Sequence, residues 1–530
     1  MTIREFDYII IGAGSAGCVL AERLSARPEL RVLLLEAGGR DVNPFIHMPA
    51  GLSKLVGNPR INWDYYTEPE PQLGGRRLYW PRGKVLGGSS SINAMCYIRG
   101  AAADYDEWAR YGARGWSYAE VLPYFIKAER QSRGASVFHG SSGPLGVEDL
   151  RHTNPLSGIF LNATREKGFS ANEDFNGAEQ SGFGFYQVTQ WQGRRSSTAV
   201  AYLRPAIRRS NLTVMTRALT SRVLLEGGRA VGVECVHNGR LETLRATREV
   251  LVAAGTIGSP QLLMCSGIGP ADELEAAGVK VQVANAAIGG NLQDHLDYCV
   301  LQQCTQPITY DFDWWREAWE GLKYFATRSG PGVSNVAEAG GFLRSPRAPD
   351  DRPDLQFHFV PAQLDDHGRN RLPGHGYTLH ACVLRPRSRG RISLRSSSIT
   401  EPPRIFANYL SESEDLAGLI EGVKIARDIL AAPAFARYRG RELYPGAGAT
   451  TDDDLAMAIR AKAETIYHPV GTCRMGSDSQ AVVDPELKVN GIRGLRVIDA
   501  SVMPRLIGGN TNAATIMIAE RAADFLLETA

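Results

Sequence analysis

Phe6-Asp-Tyr-Ile-Ile-Ile-Gly-Ala-Gly-Ser-Ala-Gly17 decides the fold. Phe6–Ile11 is a short apolar, β-branched run, as expected for a strand buried on both faces. Three glycines follow in the spacing G-x-G-x-x-G, and Cys18 to Ala26 then reads as a helix with Val19, Leu20 and Leu24 apolar. Arg31-Val-Leu-Leu-Leu-Glu36 is a second buried strand that ends in an acid, about twenty residues past Gly17. Each part has a physical role. Gly12 permits the tight turn, Gly14 lets backbone approach a pyrophosphate, and Gly17 allows close packing of helix on strand. The helix N-terminus presents its positive end to phosphate, and Glu36 accepts hydrogen bonds from a ribose. A plain glycine turn would leave Glu36 without a reason. This unit does not by itself separate NAD from FAD.

Working outward, Pro81-Arg-Gly-Lys-Val-Leu-Gly-Gly-Ser-Ser-Ser-Ile-Asn-Ala-Met95 is a second loop rich in glycine and hydroxyls. Such a loop offers several backbone N–H groups to one flat or anionic ligand, and a long FAD has more use for two such loops than a nicotinamide dinucleotide. The whole chain has 530 residues, which at roughly 150 per domain implies two large units or three smaller ones. With 43% hydrophobic and 22% charged residues it is not a disordered chain. A net charge of +2 provides no global field for nucleic acid or acidic lipid. No run of eighteen apolar residues suggests a membrane span, and the N-terminal residues lack the pattern of a secretory signal. The eight cysteines are scattered, without C-x-x-C or a metal-type spacing, so they are expected to be reduced and mostly buried, and no metal ligand set is expected. The expected location is the cytoplasm, with contact at the inner face of a membrane left open.

Several motifs resemble those of the glucose-methanol-choline (GMC) oxidoreductases. Gly83 to Met95 is similar to the first family signature, and Gly255-Thr-Ile-Gly-Ser-Pro-Gln-Leu-Leu-Met-Cys-Ser-Gly-Ile-Gly269 to the second. Asp104-Tyr-Asp-Glu-Trp-Ala, Gly290-Asn-Leu-Gln-Asp-His295, Tyr467-His-Pro-Val-Gly-Thr-Cys473 and Asn510-Thr-Asn-Ala-Ala-Thr515 complete the order. The resemblance implies an α/β fold: a doubly wound, Rossmann-like FAD-binding domain assembled from separated segments, and an α+β substrate domain built on an antiparallel sheet. The FAD domain is expected at about 1–155, 196–300 and 455–530, and the substrate domain at 156–195 and 301–454. Implied FAD contacts are Gly12, Gly14, Ser15, Ala16, Gly17, Glu36 and Ala37, then Gly87, Ser91, Asn93, Ala94 and Met95. Val223 is expected to meet adenine through its backbone, and Asp499 and Ala500 to line the flavin side of the pyrophosphate. Some members attach FAD through a histidine beside the signature asparagine. Ile92 stands there in this chain and has no nucleophile, so FAD is expected to be noncovalent.

Oxidising an alcohol removes a hydroxyl proton and a carbinol hydride, which flavin N5 takes while the protein supplies a base and orientation. His468 matches the family's active-site histidine, and Pro469 restricts its backbone. An ordinary imidazole pKa near 6.5 suits a base at neutral pH. The second member of the family pair is expected about forty residues on, at Asn512, which also reads as an N-cap of the helix that follows. Cys473 as a nucleophile has no oxyanion arrangement to support it. The basic stretch Leu384–Arg395 reads as a solvated strand and turn rather than a polyanion site. Trp315, Trp319 and Leu322 share a helix face whose default is core packing, with a lid or a membrane-quinone patch as the alternative.

The middle of the chain looks most like bacterial aliphatic-alcohol dehydrogenases of the family, so a primary alkanol is the expected substrate and a quinone or other carrier the acceptor. Choline and L-sorbose dehydrogenases share much of it. For choline, Glu338 offers an acid but small neighbours, so no cage is evident. A flavin-containing hydroxynitrile lyase and an NAD-dependent dehydrogenase are the readings from other classes.

Overall fold

The structure, a computed structural model, describes residues 4–370 and 372–528. Two seven-stranded sheets carry the architecture. In the first, Leu212–Thr216, Val32–Glu36, Arg4–Ile11 and Arg240–Val252 run parallel in that order, with Leu495–Val497 parallel to the last of them. Arg229–His237 and Ala218–Glu226 extend the sheet antiparallel. The central strands read as continuous apolar runs because both faces are buried, and Val32–Glu36 is buried at every position. From Arg4–Ile11 the chain winds first to one side, through Val32–Glu36, and later to the other, through Arg240–Val252. The crevice at the carboxyl ends of these two directions is where a doubly wound sheet binds ligand. Gly12 and Ala253–Gly255 both border it.

The helix Ser15–Ser25 lies tight against the glycine turn. A Cβ on Gly17 would sit 1.8 Å from the Gly12 carbonyl oxygen, so only glycine permits this approach. The C-terminal helix Asn512–Glu528 packs beside it, fastened by Arg23, which donates to Glu520 at 2.8 and 2.7 Å.

The second sheet is antiparallel, in the order Arg439–Tyr444, Leu296–Cys304, Gly376–Val383, Leu355–Val360, Ala339–Leu343 and Gly182–Phe185, with Glu464–Thr465 added beside Leu296. Side chains alternate across it. Tyr298, Val300, Phe357, Phe359, Leu379 and Ala381 pack into the core on the side covered by Pro155–Glu166 and Ser413–Leu430, where Phe359 stacks on Phe160 at 4.8 Å. Asp297, Cys299, His358, Val360 and His380 point the other way, into a cavity. A boundary at residue 300 therefore falls inside the strand Leu296–Cys304, and Glu464–Thr465 joins the second sheet although the segment from 455 was expected in the first domain.

One expectation from patterning changes here. Trp315, Trp319 and Leu322 lie on the helix Trp314–Thr327, and that face is turned to solvent rather than into the core. The basic stretch holds the short strand Arg391–Ser393, as expected, and four of its five arginines pair with acids: Arg385 with Asp104, Arg387 with Glu414, Arg391 with Glu273 and Arg395 with Glu68. No helix among the described residues is long and apolar enough to cross a membrane.

Candidate active site

One cavity of about 730 Å3 runs from the glycine turn of the first sheet to the inner face of the second. Gly12, Gly14, Ser15, Ala16, Glu36 and Ala37 line one end. Glu36 is held by the backbone: its Oε2 accepts from Ala13 N at 2.9 Å and its Oε1 from Gly38 N at 2.8 Å. Burial pushes its carboxyl up to about 7 against these two hydrogen bonds. Gly14 has an ordinary φ of −78°, and a Cβ built on it meets no protein atom within 4 Å. Neither strain nor packing requires glycine there; a ligand drawn against the backbone does. No side chain caps the helix at Gly14, which leaves its first N–H groups to an anion. This cradle fits the pyrophosphate and ribose of FAD.

The second loop contributes Gly88, Ser89, Ile92, Asn93, Ala94 and Met95 to the lining, and Asp499 and Ala500 lie across from it. Asp499 accepts from Gly255 N at 2.9 Å and Ser259 Oγ at 2.6 Å, which locks the turn after Arg240–Val252 to the segment around 499. Four residues expected to touch FAD stand behind the wall. Gly17 packs helix on turn, and Gly87 N donates to Ala13 O at 2.7 Å, joining the two loops. Ser91 Oγ donates inward to Leu86 O at 2.7 Å. Val223 N donates to Ser266 Oγ at 2.8 Å, so this N–H is taken, and the same strand reaches the cavity at Ala218, Leu219 and Thr220 instead. The Thr220 hydroxyl is buried there without a hydrogen-bond partner. Arg195, which gave no sequence signal, holds the second loop from beneath: Nη1 donates to Asn93 Oδ1 at 2.7 Å and Asn93 O at 2.6 Å. Burial pulls its guanidinium down to about 9.

His468 sits at the junction of the two sheets, buried, between a positive-φ Tyr467 and Pro469. Its N–H donates to Asp294 Oδ1 at 2.8 Å, and Asp294 also accepts from Thr465 and Tyr409, so the Asp294-His295 pair fixes the backbone that presents the imidazole. His468 Nε2 faces Asn510 Nδ2 at 3.0 Å, and His468 Nδ1 faces His295 Nδ1 at 3.0 Å. His295 Nε2 is 3.3 Å from Leu384 O, a contact that only an N–H can make. With both rings neutral, one proton assignment satisfies the chain: His295 Nε2–H donates to the carbonyl, His468 Nδ1–H donates to His295, and the His468 Nε2 lone pair is left for Asn510 and the cavity. Burial holds His468 well below the ordinary imidazole value, helped by His295, His358 and Arg82 nearby.

The amide beside His468 is thus Asn510, two residues before the one expected. Asn512 opens the C-terminal helix and lines the cavity, but its Oδ1 accepts from Ser15 Oγ at 2.7 Å, at the cradle end. It is the first helical residue, and its observed partner is Ser15, whereas Asn510 is the amide in contact with the imidazole. Asn510 Oδ1 accepts from Gln356 Nε2 at 3.1 Å, and the same Nε2 lies 3.2 Å from His358 Nε2. That makes His358 Nε2 the acceptor and leaves His358 Nδ1–H buried, unpartnered and in a ring that lines the cavity. Sequence reasoning missed Gln356 and His358 as site residues because strand pairing rather than spacing brings them here. It missed the role of His295, which ends a contiguous motif just before the strand Leu296–Cys304, because only the fold sets it against His468.

Register also builds a polar wall. Cys299 pairs with His380, His380 with His358, and Asp297 with Glu464. Asp297 Oδ2 lies 2.5 Å from His380 Nδ1, and Cys299 Sγ lies 3.2 Å from the same nitrogen. Although the sequence shows no metal-type spacing, the possible ligand atoms of Asp297, Cys299 and His380 all lie within 4.8 Å of one another. Burial opposes protonation of His380, yet Asp297 raises it overall. Burial lifts Glu464 to about 7, with Asp366 and Asp297 adding to the rise. Trp63 and Tyr65, stacked at 5.8 Å, line the cavity as well. Glu338 is not a binding acid: it is fully buried and accepts from Asn154 N, Ser157 Oγ, Tyr310 OH and Ser334 Oγ. Cys473 is buried, with its thiol raised by desolvation, and does not line the cavity.

Models of GMC oxidoreductase domains match residues 6–297 and 386–519. The chain is 50% identical to alcohol dehydrogenase [acceptor] of Pseudomonas putida, over 98% of this chain and 96% of that one. It is 48% identical to mitochondrial choline dehydrogenase of Homo sapiens, over 98% and 90% of the two chains. Among solved structures, pyridoxine 4-oxidase from Mesorbium loti superposes with a TM-score of 0.91 at 32% identity, covering 99% of each chain.

Proposed function

Because this chain belongs to the GMC oxidoreductase family and uses FAD, we propose that it oxidises a primary alcohol to the aldehyde, with His468 as the base. One observation carries the assignment: a neutral imidazole offers its Nε2 lone pair, beside the Asn510 amide, in the same cavity as the Gly14 and Glu36 cradle. An alcohol hydroxyl placed between His468 and Asn510 gives its proton to Nε2 and accepts from the Asn510 amide. His468 is then an imidazolium whose Nδ1–H still donates to His295. The unpartnered His358 Nδ1–H is a second donor for the oxygen as it gains negative charge. Phe312, Val360, Leu364 and Ile466 give the cavity an apolar wall that suits an alkyl chain. Bound FAD would supply the hydride acceptor, and a quinone-type carrier is the acceptor proposed for the electrons. Gly12, Gly14, Ser15, Ala16, Glu36, Ala37, Asn93, Ala94, Met95, Asp499 and Ala500 are the residues proposed to hold it.

A second reading is favoured by the polar wall. Asp297 and Glu464, with Trp63, Tyr65 and Tyr467 around the same cavity, would suit a hydroxylated quaternary ammonium such as choline. Anaerobic bleaching of the holoenzyme by alkanols, choline and sorbose separates the readings, followed by reoxidation with oxygen and with a soluble quinone. Strong bleaching by alkanols supports the first reading, and by choline the second. A flavin that stays oxidised with every substrate would point to lyase chemistry.

A further inference from the structure

The helix Trp314–Thr327 is amphipathic in the reverse sense. At 3.6 residues per turn, Trp314, Trp315, Ala318, Trp319, Leu322, Phe325 and Ala326 fall in one arc of about 140° that contains no polar residue. That arc faces solvent: Trp314 is 78% exposed, Trp315 57%, Trp319 61%, Leu322 62% and Phe325 52%. The other face is fastened to the body. Tyr324 is buried and its OH donates to His47 O at 2.9 Å, and Glu317 pairs with Lys54 at 2.6 Å. Glu317 and Glu320 line the cavity together with exposed Ser53 and Lys54, so the helix stands where the cavity reaches the surface.

At roughly 200 Å2 per aromatic side chain, these four rings alone leave about 500 Å2 of apolar surface in water, as much as the largest patch on a typical monomer. We propose that this face is a membrane-docking surface, seated in the headgroup boundary of an anionic bilayer with the cavity opening against lipid. Tryptophan prefers that boundary, where its apolar ring is buried and its N–H stays wet. Arg316 and Lys323 follow the arc along one edge and Arg328 ends the helix, giving cations for anionic headgroups, although Lys323 lies 3.7 Å from Glu320, which with Glu317 is on the body side. A two-fold contact with a second copy through the same face would set two cavity openings against each other. The proposal deepens the proposed function, since a lipid-soluble acceptor would then meet the opening directly.

The test is flotation of the FAD-loaded protein with vesicles of phosphatidylcholine and phosphatidylglycerol, with quenching of tryptophan emission by brominated lipid. A triple variant, Trp314→Ser, Trp315→Ser and Trp319→Ser, is compared, and turnover is measured apart with a soluble alcohol and a soluble dye. The wild type should float and be quenched, and the variant should bind at least tenfold more weakly with dye-linked turnover within twofold. A wild type that stays in the aqueous fraction, a variant that floats equally, or a dimer dispersed by the substitutions without vesicle binding would each overturn the proposal. Loss of alcohol bleaching with flotation intact would instead strike the proposed function alone.

Discussion

The imidazole of His468 is neutral for a reason that lies in its neighbours. His295 donates its Nε2–H to a backbone carbonyl and so can only accept at the Nδ1 that faces His468, and burial penalises a charge on any of the three histidines grouped here; His295 and His358 are each lowered to about 3. Removing the base should cost more than removing an orienting amide. His468→Ala is expected to lose about 10^3-fold in turnover and Asn510→Ala about 10^2-fold. Asn512→Ala, which touches Ser15 rather than the imidazole, should lose the least; single-turnover flavin reduction measures all three, and a larger loss at Asn512 than at Asn510 would reverse the assignment. The pH dependence follows from the sign of the shift. The active form is the deprotonated ring, and a pKa below 6.5 keeps it deprotonated further into acid, so the acid limb of kcat/KM should lie below pH 6.5. An acid limb at or above 6.5 would show that His468 is not held neutral in this way.

At the scale of elements, the glycine turn separates two demands that the motif alone merges. Gly17 is required by the protein, since its Cβ would strike the Gly12 carbonyl at 1.8 Å, and backbone cannot rotate away. Gly14 is required only by a ligand, because its Cβ would meet nothing. Gly17→Ala should therefore lose roughly 3 kcal/mol of stability from overpacking. Gly14→Ala should leave the stability of the FAD-free protein within about 0.5 kcal/mol while weakening FAD binding at least tenfold. Denaturant unfolding of the stripped proteins and FAD titration of each read these outcomes apart. The glycine spacing was legible in the sequence, but the division of labour within it needed the distance from each Cβ to its surroundings.

Across the whole molecule, the cavity exists because the carboxyl ends of the first sheet meet the inner face of the second. FAD held in that junction binds only the folded chain, so it should stabilise it by about 4 kcal/mol at a thousandfold excess over its Kd. Thermal unfolding of stripped and reloaded protein checks this. With Ile92 where an attaching histidine would stand, warm acid precipitation should leave the yellow chromophore in the supernatant. Colour retained in the pellet would mean a covalent link at a residue other than Ile92.

What the chain determines by itself is local: a buried strand, a glycine turn, a helix and an acid at fixed spacing, because short-range sterics and the helix end act within a few dozen residues. The family motifs, His468 included, are equally contiguous and so equally readable. The sequence points to Asn512 as the partner of His468 and the structure to Asn510, since the two look alike until the fold engages one with Gln356 and the other with Ser15. Cys299, His380 and His358 were invisible as a group because strand register, not sequence distance, sets them side by side; Asp297 meets His380 from the same strand as Cys299, and His295 stands just before that strand. The tryptophan face was legible as a stripe but not as a surface. Periodicity says that one side of a helix is apolar, and only the packing of Tyr324 and Glu317 against the body decides which side meets water.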